Sequence, residues 1–290
     1  MKIAVFGEIL WDLFGDDAKI GGAPFNFACH TAKCGADSAI ISAVGNDPLG
    51  EEALAIAASY GVDVSQVAVL DGVPTGRCLV TLHDGTPSYE LVRGVAYDRI
   101  PCPTAPVFAD AFYFGTLAMR DAESEKSLRG MLAEGNYKEI FFDLNIRQSF
   151  YDADRVDYGI SHCTIFKVSR EELPTLSIIG VTGSEEECCL QLREKYPNLR
   201  RILVTLDKDG SFDFDCATGA VTFSPKPSTK AVSTVGAGDS FSACYLTNYL
   251  AGHPVPECLR RATLLSGYVV TQIGAIPDYP AELLSQIIAK

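Results

Sequence analysis

Six short apolar runs constrain the fold of this chain more than any other feature of it. Ile3–Phe6, Ala39–Val44, Ala111–Phe114, Ile140–Leu144, Thr164–Val168 and Ile202–Leu206 are rich in β-branched and aromatic residues and stop at turn formers. Near-continuous runs of this kind suit strands covered on both faces, as in a parallel sheet. Stretches with helical spacing fall between and after them, at 24–34, 49–60, 122–134, 184–196, 237–251 and 256–272. Strand and helix in alternation predict a layered α/β domain with right-handed crossovers.

Some segments depart from that rhythm. Ile9–Phe14 reads as an additional strand, with a turn at Gly15-Asp16-Asp17. Residues 77–83 and 87–92 flank Asp84-Gly85-Thr86, an Asp-Gly hairpin signal between two strand-like runs. These pieces are expected to pair into a small β-sheet lid built from about 9–20 and 77–97. A second hairpin is expected at 211–215 and 220–224. No repeat, low-complexity tract or linker divides the chain, so residues 1–290 read as one domain.

The balance of 24 basic against 37 acidic residues gives a net charge of −13. Such a surface repels phosphate backbones and argues against a nucleic-acid partner. No run approaches the ~20 apolar residues of a membrane span, and Met1–Gly7 lacks the length of a secretory signal. The expectation is a soluble, cytoplasmic protein without a membrane partner. The ten cysteines contain no C-x-x-C and the four histidines are isolated, so reduced structural thiols are expected rather than a zinc site.

The most informative string is Ser233-Thr234-Val235-Gly236-Ala237-Gly238-Asp239-Ser240-Phe241, which runs into a helical pattern. Glycines let a ligand approach the backbone, and the first N–H groups of a helix lack intrahelical partners. Together they make an anion site, with the Asp239 carboxylate beside it as a candidate proton acceptor. The string is neither a Walker loop, since no Gly-Lys dipeptide occurs, nor a dinucleotide fingerprint. Alone, it also reads as a glycine-rich loop with an aspartate cap.

A second string lies far upstream. Gly21-Gly22-Ala23-Pro24-Phe25-Asn26-Phe27-Ala28, with Gly35 and Val44–Gly50, resembles the N-terminal signature of the ribokinase, or PfkB, carbohydrate kinases, and 233–241 resembles their C-terminal signature. Gly7–Asp12, Gly21–Ala28 and Asp143–Arg147 resemble the fructokinase branch. The resemblance spans essentially all 290 residues and implies a ribokinase-like three-layer α/β/α core with a β lid. It further implies an ATP-dependent kinase for a monosaccharide hydroxyl. Gly236, Ala237 and Gly238 would form the anion hole and Asp239 would be the base. Asp12, Gly22 and Asn26 match positions that bind sugar hydroxyls. Asn145 and Arg147 are expected on one face of a strand end, by alternation with Asp143, toward the substrate. Thr205 and Gly210 match the nucleotide side, Ser169 stands there in place of the family's asparagine, and Glu172 matches the residue that organises Mg²⁺ through water.

Three positions depart from the family pattern. Asp207 stands where glycine is usual, which brings a negative charge toward the nucleotide. Ser233 replaces an aspartate that helps hold a monovalent cation in related enzymes, which counts against such a cation here. Gln272–Ala275 keeps a glycine but lacks the usual arginine. Lid closure would exclude water, and the lid's open edges predict a homodimer. Fructose is the favoured substrate. A sugar acid, a nucleoside, or a silent sugar or nucleotide sensor on the same fold stand as alternatives.

Overall fold

The computed structural model describes the chain except for residues 16, 84–85, 104–106, 228 and 289–290, and for 82–83 and 86–88 it describes the backbone. The elements, in chain order, are β1 (Lys2–Phe6), β2 (Leu10–Phe14), β3 (Asp17–Gly21), α1 (Ala23–Lys33), β4 (Asp37–Gly45), α2 (Pro48–Ser59), β5 (Asp63–Leu70), β6 (Gly76–His83), β7 (Thr86–Leu91) and β8 (Ala111–Gly115). Then follow α3 (Ala122–Glu134), β9 (Glu139–Asp143), α4 (Ala153–His162), β10 (Ile165–Ser169), α5 (Glu185–Lys195), β11 (Arg201–Thr205), β12 (Ser211–Asp215), β13 (Val221–Ser224), α6 (Ala237–Leu250), α7 (Val255–Val269) and α8 (Ala281–Ile287).

The main sheet has nine strands in the order β13-β12-β11-β10-β9-β8-β1-β4-β5. Pairing is parallel from β11 to β5, and β12 and β13 add an antiparallel edge. Alternate residues of each strand feed opposite cores, as the two-residue period requires. Phe6, Phe112, Phe142 and Val204 face α3, α4 and α5. Val5, Tyr113, Phe141 and Leu203 face α1, α2, α6, α7 and α8. Both faces are therefore dry, which is why the strands read as unbroken apolar runs. Aromatic stacking carries across this sheet, with Phe27 and Tyr113 ring centroids 3.7 Å apart.

The second sheet has four strands in the order β3-β2-β6-β7. It is the small separate sheet expected beside the core, and residues 96–99 leave it as a 3₁₀ helix, with Val95, Ala96 and Tyr97 buried in the main core. The expected Asp84-Gly85 turn lies outside the described residues, as does Asp16 of the turn before β3. Trp11 anchors the lid's base, donating its Nε1–H to Leu49 O at 3.0 Å. Three elements escape the sequence reading. β5 is an edge strand with no buried residue, α4 buries only Val156, Gly159 and Ile160, and α8 spans seven residues. None displays enough apolar periodicity to be seen. All ten cysteines are free thiols. Among the described residues no helix is long and apolar enough to cross a membrane.

Candidate active site

The C-terminal ends of the parallel strands gather the site, as open α/β sheets do. Gly236 caps α6 with φ 80°, and a Cβ there would stand 2.4 Å from Ala275 O, so only glycine fits this left-handed turn. Asp239 then falls in the helix's first turn. The N–H of Ala237 is not free for an anion, because it donates to Thr234 O at 3.3 Å. Those of Gly238 and Asp239 have no partner among the described residues. Of the turn expected to bind an anion, the Ala237 N–H is therefore committed to the loop's own carbonyl.

The upstream motif meets this helix directly. Gly22 caps α1 with φ 107°, and a Cβ there would lie 2.6 Å from Glu8 O. Asn26 sits one turn in, with its N–H on Gly22 O at 2.8 Å, so it is not the cap itself. Its Nδ2–H donates to Asp239 Oδ2 at 2.8 Å across 213 residues of sequence. Asn26 Oδ1 is buried without a partner among the described residues.

Burial pushes the Asp239 carboxyl up to about 6, and the nearby Asp143 adds to this, while Asn26, Arg147 and Lys167 pull it down. Lys167 Nζ pairs with Asp143 Oδ1 at 3.0 Å, and Ser242 donates to the other Asp143 oxygen at 3.2 Å. Burial is the largest influence on Lys167 and opposes its charge, but the Asp143, Glu172 and Asp239 carboxylates together outweigh it and hold the ammonium above its ordinary value. A Cβ on Gly238 would stand 3.4 Å from that ammonium, so a fixed positive charge backs the glycine turn.

Asp12 reaches the site from β2 of the lid, opposite Cys78 of β6. Burial raises its carboxyl, against a hydrogen bond from the Cys78 thiol and the charge of Arg147. The expected alternation from Asp143 to Arg147 fails. β9 ends at Asp143, which is locked on Lys167, and Asn145 adopts φ 39° in the loop beyond. Arg147 is nonetheless at the site: its charge acts on Asp12, Glu8 and Asp239. It is exposed, and its side chain makes no hydrogen bond or ion pair among the described residues.

Of the positions expected to meet the nucleotide, Ser169 and Thr205 end β10 and β11, and Gly210 turns with φ 118° where a Cβ would strike Ser224 O at 2.2 Å. Asp207 is exposed with φ 51°, a left-handed conformation that explains why glycine suits this position. Glu172 bridges two loops, accepting from Ser169 N at 2.9 Å on one oxygen and from Ile146 N at 2.8 Å on the other. Each oxygen keeps a lone pair, and among the described residues no cluster of three His, Cys, Asp or Glu side chains forms. This donor set fits Mg²⁺ that keeps its waters and arrives with phosphates, held by Glu172 through water.

Glu8 and Lys167 are site residues that the sequence reading passed over. Glu8 follows Gly7 at the end of β1, 3% exposed, with Oε1 accepting from Ala23 N at 3.3 Å and Oε2 without a partner among the described residues. An acid directly after a buried strand's last glycine was the available signal.

Residues 2–282 match the pfkB family carbohydrate kinase. This chain belongs to that family. The kinase is 30% identical to a fructokinase of Klebsiella pneumoniae over 89% of this chain and 87% of that one. It is 26% identical to a fructokinase of Solanum tuberosum, over 97% and 93% of the two chains. In structure it resembles an uncharacterised sugar kinase of Pyrococcus horikoshii, with TM-score 0.79, 25% identity and coverage of 95% and 93%. A Vibrio cholerae fructokinase in its fructose, ADP and calcium ion bound form shares the fold, with TM-score 0.84 at 20% identity and coverage of 99% and 98%. The kinase thus has the expected ribokinase-like α/β fold, and it is a sugar kinase of the phosphotransferase class.

Proposed function

We propose that this kinase transfers the γ-phosphate of ATP to a hydroxyl of a neutral monosaccharide, a fructose-like ketose, with Asp239 as general base. The observation that carries this reading is the 2.8 Å hydrogen bond from Asn26 to Asp239, which joins the two motifs at the first turn of α6. A sugar seated between Gly22, Asn26 and Asp12 would present a hydroxyl to Asp239. The carboxylate takes that proton as the oxygen bonds to the γ-phosphorus, and the bond to the bridging oxygen breaks to release ADP. The N–H groups of Gly238 and Asp239 receive the charge of the transferred group, with Lys167 behind them. Mg²⁺, when bound with ATP, supplies charge neutralisation on the phosphates.

The fructokinase relatives support a ketose, and so does the charge balance of the site. Glu8, Asp12 and Asp239 all feel the charge of Arg147, and an anionic sugar would meet those three carboxyls. The unpaired state of Arg147 favours a second reading, a kinase for a sugar acid. Turnover of ATP against ketoses, aldoses, sugar acids and nucleosides separates the two. For a neutral sugar, Arg147→Ala changes KM by less than about tenfold, whereas loss of a carboxylate partner costs more than about a hundredfold.

Asp239→Asn is expected to retain sugar binding by calorimetry and to lose about 10²–10⁴ in kcat. Near wild-type turnover in that variant removes Asp239 as the base. Exposed Phe14, Leu79 and Tyr89 on the lid sheet support pairing of two copies through it.

A further inference from the structure

We infer that His30 is a positioning residue of the transfer site, holding the Ala275 carbonyl against Gly236 and so fixing the turn that sets Asp239 at the head of α6. The inference rests on Asp239 being the base. The loop after α7 has no strand or helix of its own over 275–279, so its carbonyls need partners from elsewhere. Side chains supply four in succession. His30 donates to Ala275 O at 2.9 Å, Tyr60 to Ile276 O at 3.5 Å, Lys33 to Pro277 O at 2.7 Å and Tyr268 to Asp278 O at 2.8 Å. Lys33 also lies over the Tyr279 ring, 4.3 Å from its centroid. The first of these carbonyls is the one that meets the site. A Cβ on Gly236 would stand 2.4 Å from Ala275 O and 2.8 Å from Ala275 Cα, so the glycine turn rests backbone to backbone on the residue that His30 holds.

The partners also fix the state of the imidazole. A carbonyl oxygen only accepts, so Nε2 carries the hydrogen that meets Ala275 O. His30 is fully buried, and burial pushes its imidazole down to about 3, with the Lys33 charge adding to this against the bond to Ala275. The ring is therefore neutral, and Nδ1 accepts from the Tyr279 hydroxyl, which brings the far end of the same loop to the same side chain. His30 lies one turn beyond Asn26 on the same face of α1. The helix thus grips the start of α6 twice. Asn26 bonds the Asp239 carboxylate, and His30 holds the loop on which Gly236 rests. Both ring nitrogens are spent on the protein, so the effect of His30 falls on the placement of the base and not on sugar binding.

The test compares His30→Leu with His30→Gln on the best sugar of the panel. Leucine fills the space without a donor or acceptor, whereas the glutamine amide can donate to Ala275 O and accept from Tyr279. His30→Leu should lose about ten- to a hundredfold in kcat with KM for the sugar within about threefold of wild type, and His30→Gln should recover most of that loss. A folded His30→Leu enzyme with wild-type kcat overturns the inference, and so do equal losses in the two variants. ¹⁵N NMR of histidine-labelled wild-type protein supplies a second readout that needs no variant to fold. His30 should show a protonated Nε2 and a bare Nδ1 at neutral pH, and the opposite tautomer or an imidazolium also overturns the inference. Asp239→Asn with its turnover intact removes the base assignment alone, since the tautomer and the contrast between the two His30 variants are read without it.

Discussion

At Asp239, burial and hydrogen bonding pull in opposite directions. Loss of water raises the carboxyl to about 6, and the Asn26 amide is the largest influence holding it down. A base must be deprotonated to act, so kcat/KM is expected to fall as the pH drops through about 6. Asn26→Ala removes a donor that favours the charged form, so the acid limb moves to higher pH. A hydrogen bond to a charged group is worth about 1.5–3 kcal/mol, so the loss at pH 7 should be about two- to fifteenfold, with much of kcat recovered at alkaline pH. A pH-independent loss in that variant confines Asn26 to sugar binding. The glycine turn before Asp239 was legible in the sequence because bare glycines ahead of a helical pattern mark a backbone turn, whereas Gly22 and Asn26 were singled out by the resemblance to the family's N-terminal signature. Glu8 was not, because an acid after a strand reads equally as a surface residue until the fold buries it.

Between elements, the Lys167–Asp143 pair ties β10 to β9 beneath the glycine turn of α6. Both side chains are buried, so removing one partner strands the other's charge. Lys167→Ala should cost about 3–5 kcal/mol in urea unfolding, and the double variant Lys167→Met, Asp143→Leu should recover most of it. A single variant as stable as wild type denies the pair any structural role. Helix and strand identities came through in the sequence where burial was deep and regular: α3 was expected over 122–134 and is found over Ala122–Glu134. The loop after β9 did not, because alternation holds only while the backbone stays extended, and Asn145 leaves that region at φ 39°. Arg147 reaches the site by loop geometry instead.

For the molecule as a whole, the lid sheet is the part without a second layer. It stands on Trp11 and presents Phe14, Leu79 and Tyr89 at 38%, 38% and 51% exposure, apolar surface that a second copy would cover. Light scattering is expected to give twice the 31.2 kDa chain mass, and Leu79→Glu to give one. A wild-type monomer at micromolar concentration removes the lid pairing. Charge works at this scale too: a net −13 surface surrounds a site whose cations, Arg147 and Lys167, are set at its centre, which is how an acidic protein can take a polyphosphate.

The amino-acid sequence by itself determined the layers and the two motif ends, because apolar periodicity and bare glycines act locally, within one strand or one turn. Only the tertiary structure decided that Asn26 bonds Asp239, that Ala237's N–H is spent on its own loop, that Glu172's oxygens brace two loops, and that Glu8, Arg147 and Asp239 share one field. Those outcomes depend on which side chains burial brings together across hundreds of residues, and no local spacing encodes such distances.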